Sequence, residues 1–513
     1  VRIMLSVVRR PVGITEPSAR LDKRIRLFSI CIAIVLLVLS PITGIASKQI
    51  MPPLAALLGA FVIFIMVRSE DDIFIVFFVQ SPSITYTLTT LLFALFTGNI
   101  SLTGMYDADR AFLIVALYQV SIFAAYGVLK LATYPGKIYD VGNDGFFNAS
   151  FLTIFALVGS IMLVVIRLGG FGKSLIQNIV AACWLAVALA ALSYRKGLYK
   201  PAFAIVAVTF LSLSLFANQR TFMFSIALFT IFFYLTHANK AISFFRMLAF
   251  VVAGFSLGII SQAFINARPN DSTGVDPVQV LSDTLNEIAS ADAWISALPD
   301  LSNEHEQDYI QLRSAYFSRF LQGGVNAQSD SSNSIGARLA QIGHMDIVTA
   351  KYPLRDQVDV PMWTDQLMAT ATASPEGFLA PLYSDELVWN LGLRPRPLVG
   401  RPLVSVAGEL YMLSGIYWFP VITFVIFVIF IGQAMIFRAA VGYSSAYVIS
   451  LIMATFPIIF TGTAFGLLNT VGRMLPVLII IGWAFKKFTY QRISNQTVIM
   501  KRGIFTSDEE LGE

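Results

Sequence analysis

From Leu27 onward the chain alternates between apolar runs of about 20 residues and short polar connections. One long polar stretch, Asn266 to Ser414, interrupts this pattern, and three further apolar runs follow it. Runs of that length predict helices that cross a bilayer. They fall near 27–46, 49–67, 73–97, 111–130, 146–168, 175–193, 201–217, 219–236 and 243–265, then 415–437, 444–465 and 470–486. The expected fold is therefore an all-α polytopic integral membrane protein with about twelve transmembrane helices. The 73–97 run is long enough to be tilted, or broken at Pro82. Hydrocarbon cannot host the polar stretch, whose backbone and charges would lie unsatisfied. It is expected to fold in water as one large extracytoplasmic domain between the ninth and tenth helices.

Composition agrees: 56% of the 513 residues are hydrophobic and 13% are charged, with a mean hydropathy of +0.71. In such a chain the placement of Lys and Arg says more than the net charge of +5, which is no argument for nucleic acid. A basic segment, residues 1–26, leads into the first run, which is longer than a signal-peptide core and is expected to be retained. With that segment inside, the even-numbered helices return to the cytoplasm. Their loops then gather Lys130 and Lys137, Arg195 to Lys200, Lys240, Arg246 and Arg438, and the tail 487–513 with Lys487 and Arg502. This positive-inside bias puts both termini in the cytoplasm and residues 266–414 outside. The implied layout is a membrane domain at 27–265, the outer domain at 266–414 and a second membrane section at 415–486.

Residues 266–414 hold 18 acidic side chains against nine Lys or Arg, the reverse of the cytoplasmic loops. Val278, Leu281, Leu285, Ile288, Ile295 and Leu298 recur at helical spacing, as do Tyr309, Tyr316, Phe317 and Phe320, and then Ile335, Leu339 and Ile342. A small helical domain is expected. Both cysteines, Cys31 and Cys183, lie in apolar runs and offer this domain no disulfide.

No Asp or Glu falls inside the spans so placed. Ion-coupled transporters usually carry such charges near the midplane, so the pattern argues against a coupled pump while leaving a sugar flippase open. Arg110, Arg167, Arg220 and Arg473 fall at outer helix ends, where Arg often reaches up to the headgroups. An arginine fork also suits a phosphate, and Arg220 (in Asn218-Gln219-Arg220-Thr221) and Arg473 are the stronger candidates for that task. Arg313 shares a helix face with Tyr309, Phe317 and Phe320, so it requires an acidic partner or an anionic ligand. Arg338 and Arg401 stand in reserve. Two residues compete as general base: Glu409, just before the tenth helix, and His344, beside Asp346. Gly172-Lys173-Ser174 lacks the first glycine of a phosphate loop, since Arg167 occupies that position. No metal-ligand spacing appears, and no cofactor is expected.

These features together resemble the O-antigen and exopolysaccharide repeat-unit polymerases (Wzy type) and the related O-antigen ligases. The layout of many spans with one large outer domain late in the chain is similar. Asn218-Gln219-Arg220-Thr221 looks like the Ser-Arg-Gly/Thr element of these families, with Gln in place of Ser. Arg313 followed by ten residues and Gly324 fits their Arg-x10-Gly pattern. Gly408-Glu409-Leu410-Tyr411-Met412-Leu413-Ser414-Gly415 is similar to their Gly-Glu-x-Tyr-x-x-x-Gly segment. The ligases would carry a His followed by Asn where this chain reads Leu403-Val404-Ser405-Val406, which favours a polymerase. The resemblance implies metal-independent glycosyl transfer from a polyprenyl-pyrophosphate-linked oligosaccharide at the outer leaflet of a bacterial inner membrane. Arg220, Arg313 and Arg473 would hold the pyrophosphate, and Glu409 or His344 would accept the proton. Membrane lipid, a chain-length regulator and a flippase are the implied partners. A ligase, a flippase or exporter, and a receptor-like membrane protein are the rival expectations.

Overall fold

The computed structural model describes residues 16–69, 73–96, 107–132, 149–168, 175–194, 199–216, 405–441 and 464–484, with isolated residues between 100 and 105 and between 279 and 367. The described part is all helical. We number its helices α1 (Glu16–Ser47), α2 (Met51–Arg68), α3 (Ile73–Pro82), α4 (Thr89–Phe96), α5 (Ala108–Ala132), α6 (Ala149–Leu168), α7 (Leu175–Tyr194), α8 (Tyr199–Phe216), α9 (Val406–Val441) and α10 (Ala464–Asn469). A π-helical turn, Ser83–Leu88, joins α3 to α4, and a second, Thr470–Met474, follows α10. Helix resumes after it as far as residue 484.

Among the described residues six helical segments are long and apolar enough to cross a membrane: Ile25–Ser47, Met51–Arg68, Phe74–Leu92, Ala108–Ala132, Val406–Phe437 and Gly466–Ala484. Helices α6 to α8 are also apolar. The chain is a multi-pass membrane protein. The remaining expected spans, and most of residues 266–414, lie outside the described residues.

One core is built from α1, α2, α3–α4, α5, α9 and the last helix; a second gathers α6, α7 and α8. Aromatic rings run through the first as a ladder. Phe74 meets Phe430 at 6.4 Å, Phe78 stacks on Phe430 at 4.3 Å, and Tyr118 meets Phe427 at 5.6 Å and Phe419 at 6.3 Å. Hydrophobic transfer does not drive helices together in lipid, so shape matching of this kind supplies the attraction. Small residues allow close approach where it is needed. A Cβ on Gly59 would lie 2.8 Å from Ser83 Oγ, and one on Gly159 would lie 2.8 Å from Trp184 Cδ1.

Charge separates along the bundle. Asp109 Oδ1 accepts the Ile50 and Met51 amides (3.1 and 2.8 Å) at the start of α2, and Asp107 Oδ1 accepts the Arg110 amide (3.0 Å) at the start of α5. Acids belong there, where unpaired amides and the helix dipole present positive charge. At the other end Arg26 donates to the carbonyls of Met66, Val67 and Ser69 (3.3, 2.7 and 2.5 Å) and closes α2. Arg68 covers the Phe64 ring at 4.0 Å. Lys130 donates to the Tyr126 hydroxyl at 3.0 Å at the matching end of α5.

At Pro82, where the run is expected to be tilted or broken, the helix continues through a π turn. Proline supplies no amide for the Phe78 carbonyl, and the Ser81 hydroxyl donates to that oxygen instead, at 2.7 Å. The π turn begins at the next residue. Buried Gln119 on α5 donates to the Val79 carbonyl at 2.9 Å and accepts from Ser83 Oγ at 2.9 Å. Backbone groups released by the irregularity thus find partners inside protein, as hydrocarbon requires.

Candidate functional site

The sequence places Glu409 in a polar approach to the tenth span. The structure places it within a helix. Helix α9 begins at Val406 and changes direction at Gly415, whose φ of 68° and ψ of 168° suit glycine alone. Every residue from Ser405 to Gly415 is buried.

The first arm of α9 does not prolong the second outward. Phe419 lies beside Tyr118, and Tyr118 lies edge-on to Tyr86 at 6.2 Å. A straight helix would carry Ser405 about 20 Å beyond Phe419. Instead, the helix turns at Gly415, and Tyr411 meets the Phe419 ring at 6.1 Å. Val406–Ser414 therefore bends back at Gly415 toward the ring layer of Phe419 and Tyr118.

This arrangement buries a carboxylate among membrane-crossing helices. Glu409 is 2% exposed, and its Oε2 accepts the Ala464 amide at 2.6 Å. It sits in the first turn of α9, where the helix dipole favours negative charge, and its charge acts on Tyr86. The turn itself is held tightly. Ser405, at φ 76°, donates no amide of its own to the helix but accepts the Gly408 amide on Oγ at 3.2 Å, while its carbonyl accepts the Glu409 amide at 3.0 Å. The expectation that no acid lies within a span is thus corrected. The polar residues Ser405, Gly408, Glu409 and Ser414 delay the hydropathic onset to 415, whereas the helix begins at Val406 and its burial at Ser405.

Arg473 is also displaced from its expected place near the start of the last span. The helix begins at least as early as Ala464, and Arg473 lies half-buried in the π turn, about 14 Å of helix beyond the amide that Glu409 holds. Gln433 donates to the Val471 carbonyl in that turn at 2.9 Å, and Cys183 Sγ approaches the Met474 carbonyl at 3.7 Å. Arg110 pairs with Asp107 at 3.4 Å, and its charge reaches Tyr411. Arg167 lies in the last turn of α6. Arg220, Arg313, Arg338, Arg401 and His344 lie outside the described residues.

Sequence reasoning missed Tyr86 and Ser405. A signal was present in Gln80-Ser81-Pro82-Ser83-Ile84-Thr85-Tyr86-Thr87, an unusually hydroxyl-rich run for the middle of a span. π turns of this kind frequently mark functional sites, and here both join the core that takes in Val406, Ala407 and Leu410, the neighbours of Glu409.

No protein-family model, curated protein or solved structure matches the chain.

Proposed function

We propose that the protein is a glycosyltransferase that polymerises lipid-linked oligosaccharide repeat units. One polyprenyl-pyrophosphate-linked glycan would be transferred to the non-reducing end of another at the outer leaflet of a bacterial inner membrane. The observation that carries this reading is Glu409, a buried carboxylate held by the Ala464 amide in the segment that prompted the family resemblance. Intramembrane carboxylates are costly, and function is their default explanation.

In the reaction, the acceptor hydroxyl oxygen forms a bond to the donor's anomeric carbon, and the bond from that carbon to the pyrophosphate oxygen breaks. Glu409 takes the hydroxyl proton. The pyrophosphate departs with the bonding electron pair, and arginines neutralise its growing charge. Arg473 is the described candidate, and Arg220, Arg313, Arg338 and Arg401 are the others; His344 remains the rival base. The gathering of Arg26, Arg68 and Lys130 at one end supports a cytoplasmic position for that end. The outer domain, a chain-length regulator and a flippase belong to the same reading.

A second reading, a flippase or exporter, gains from the same carboxylate. Glu409 now lies inside a span, together with the buried polar pairs Ser29–Gln80 and Ser83–Gln119, and such groups also line transport paths. One experiment separates the readings: Glu409→Gln in cells, with the lipid-linked glycans extracted and sized. Single repeat units accumulating on the carrier at the outer face are expected, with turnover reduced by on the order of 10²–10⁴-fold. Long chains held on the carrier would indicate a ligase, and units trapped at the cytoplasmic leaflet a flippase. An unchanged glycan overturns all three.

A further inference from the structure

We infer that Val406–Ser414 is a re-entrant half-helix, lying beside the second arm of α9 rather than above it and holding Glu409 at bilayer depth. The topology stands apart from the proposed function. Its consequence for the substrate rests on that function: the acceptor hydroxyl meets Glu409 below the membrane surface, inside the protein.

Three observations carry it. The first is length. Val406–Phe437 has 32 residues, which as one straight helix would measure about 48 Å against about 30 Å of hydrocarbon. Residues 416–437 alone rise about 33 Å and are enough to cross it. Exposed Tyr417 and Trp418 mark the surface just below Gly415.

The second is level. Phe419 lies beside Tyr118, and Phe430 lies beside Phe74 at the start of α3, so the second arm descends from Gly415 into the bundle. Gln433 is about 27 Å of helix from Gly415, and it donates to the Val471 carbonyl at 2.9 Å. Ala464 precedes Val471 by about 10 Å of helix. It therefore lies about 17 Å below Gly415 if the last helix descends with the second arm, and about 37 Å below if it rises. Glu409 holds the Ala464 amide at 2.6 Å, yet it is only about 9 Å of helix and one side chain from Gly415. Only the shorter distance comes within reach, and only for an arm folded back along the second. An arm continuing outward would end about 26 Å from that amide.

The third is how the arm starts. A helix leaves its first amides unpaired, and at bilayer depth only protein can meet them. Here the Gly408 amide goes to Ser405 Oγ at 3.2 Å and the Glu409 amide to the Ser405 carbonyl at 3.0 Å. The Ala464 amide, first of α10, goes to Glu409. Every residue from Ser405 to Gly415 is buried.

The test uses the full chain in lipid nanodiscs, in a Cys31→Ser, Cys183→Ala background. Tyr411 meets Phe419 across the bend. One turn further from Gly415 on the same faces lie Ala407 and Thr423, both 0% exposed. With packed helix axes about 8–10 Å apart, dibromobimane, which fluoresces on joining two thiols, should bridge Ala407→Cys to Thr423→Cys and Tyr411→Cys to Phe419→Cys. Neither member of a pair alone should give the signal. A second readout uses one cysteine. Val406→Cys, at a position 2% exposed, should react at least about tenfold faster with a membrane-permeant maleimide than with a sulfonated, impermeant one, which must shed its water to reach that depth. Tyr417→Cys at the surface should show no such preference. Bridging of the Tyr411–Phe419 pair alone, or of neither pair, overturns the re-entrant course. Should the paired variants fail to fold, Val406→Cys decides, and equal rates with the two maleimides overturn it. The proposed function fails separately: if the bridges form while Glu409→Gln keeps full turnover, the topology stands and the base assignment is wrong. If no bridge forms while Glu409→Gln loses turnover, the base stands and the half-helix does not.

Discussion

The two arms of α9 are continuous in sequence, yet they occupy opposite environments. Val406–Ser414 is buried on all sides. Beyond Gly415 the helix shows one face to the core, through Phe419, Phe427, Phe430 and Phe437, and another outward. Tyr417 and Trp418 are 70% and 52% exposed at the head of that outward face, with Val421, Val425, Ile429 and Ile436 below them. Tyr and Trp are enriched at membrane interfaces, and the aliphatic residues suit lipid. A helix with one face in lipid needs only one packed seam. A helix enclosed on every side must satisfy each polar group from protein, and for Glu409 the Ala464 amide does so. Hydropathy registers the polar residues of the first arm but not its burial, because lipid and protein interior are similarly apolar.

The comparison depends most on Gly415. At φ 68° and ψ 168° any other residue is strained, so Gly415→Ala should cost about 3 kcal/mol, read as a lower thermal midpoint in detergent. The same variant should expose the first arm and accelerate labelling of Val406→Cys. An unchanged midpoint would show that the arms are not held apart by this glycine.

How much of this was legible depends on the physics of each element. The spans of α1 to α5 were, because lengths of about 20 apolar residues are set by bilayer thickness, and α6 to α8 are apolar helices where the apolar runs place them. Pro82 announced an irregularity, since a proline removes an amide, but its π form depends on Ser81 and Gln119, and Gln119 sits on another helix. Glu409 was legible as a candidate because a carboxylate beside a span is unusual. Its burial was not, because it requires Ala464, which is far away along the chain.

The next prediction contrasts the two faces of the second arm. Phe427 is 1% exposed and touches Phe78, Tyr118 and Phe430, whereas Ile429 is 46% exposed. In a soluble core Phe→Ala costs roughly 3–5 kcal/mol. Against a lipid reference most of the transfer part disappears and the lost contacts and cavity remain, leaving about 2 kcal/mol for Phe427→Ala. Ile429→Ala should stay within about 0.5 kcal/mol. Equal effects at the two positions would mean that the outward face is covered by protein.

The smallest effect tests whether burial alone sets the cost of polarity in the two arms. Ser414 in the first and Thr423 in the second are both 0% exposed, and among the described residues neither hydroxyl has a hydrogen-bond partner. An unmet hydroxyl in an apolar setting is a penalty already present in the folded protein. Ser414→Ala removes it with little change of volume, and Thr423→Val removes it with almost none. Each should leave the thermal midpoint unchanged or raise it, by up to about 1 kcal/mol. If Thr423→Val does so while Ser414→Ala destabilises, the first arm holds its hydroxyl through a partner contributed by a segment packed over it. The enclosed arm would then extend a polar network that begins at Glu409, and the two arms would differ in chemistry as well as in solvent.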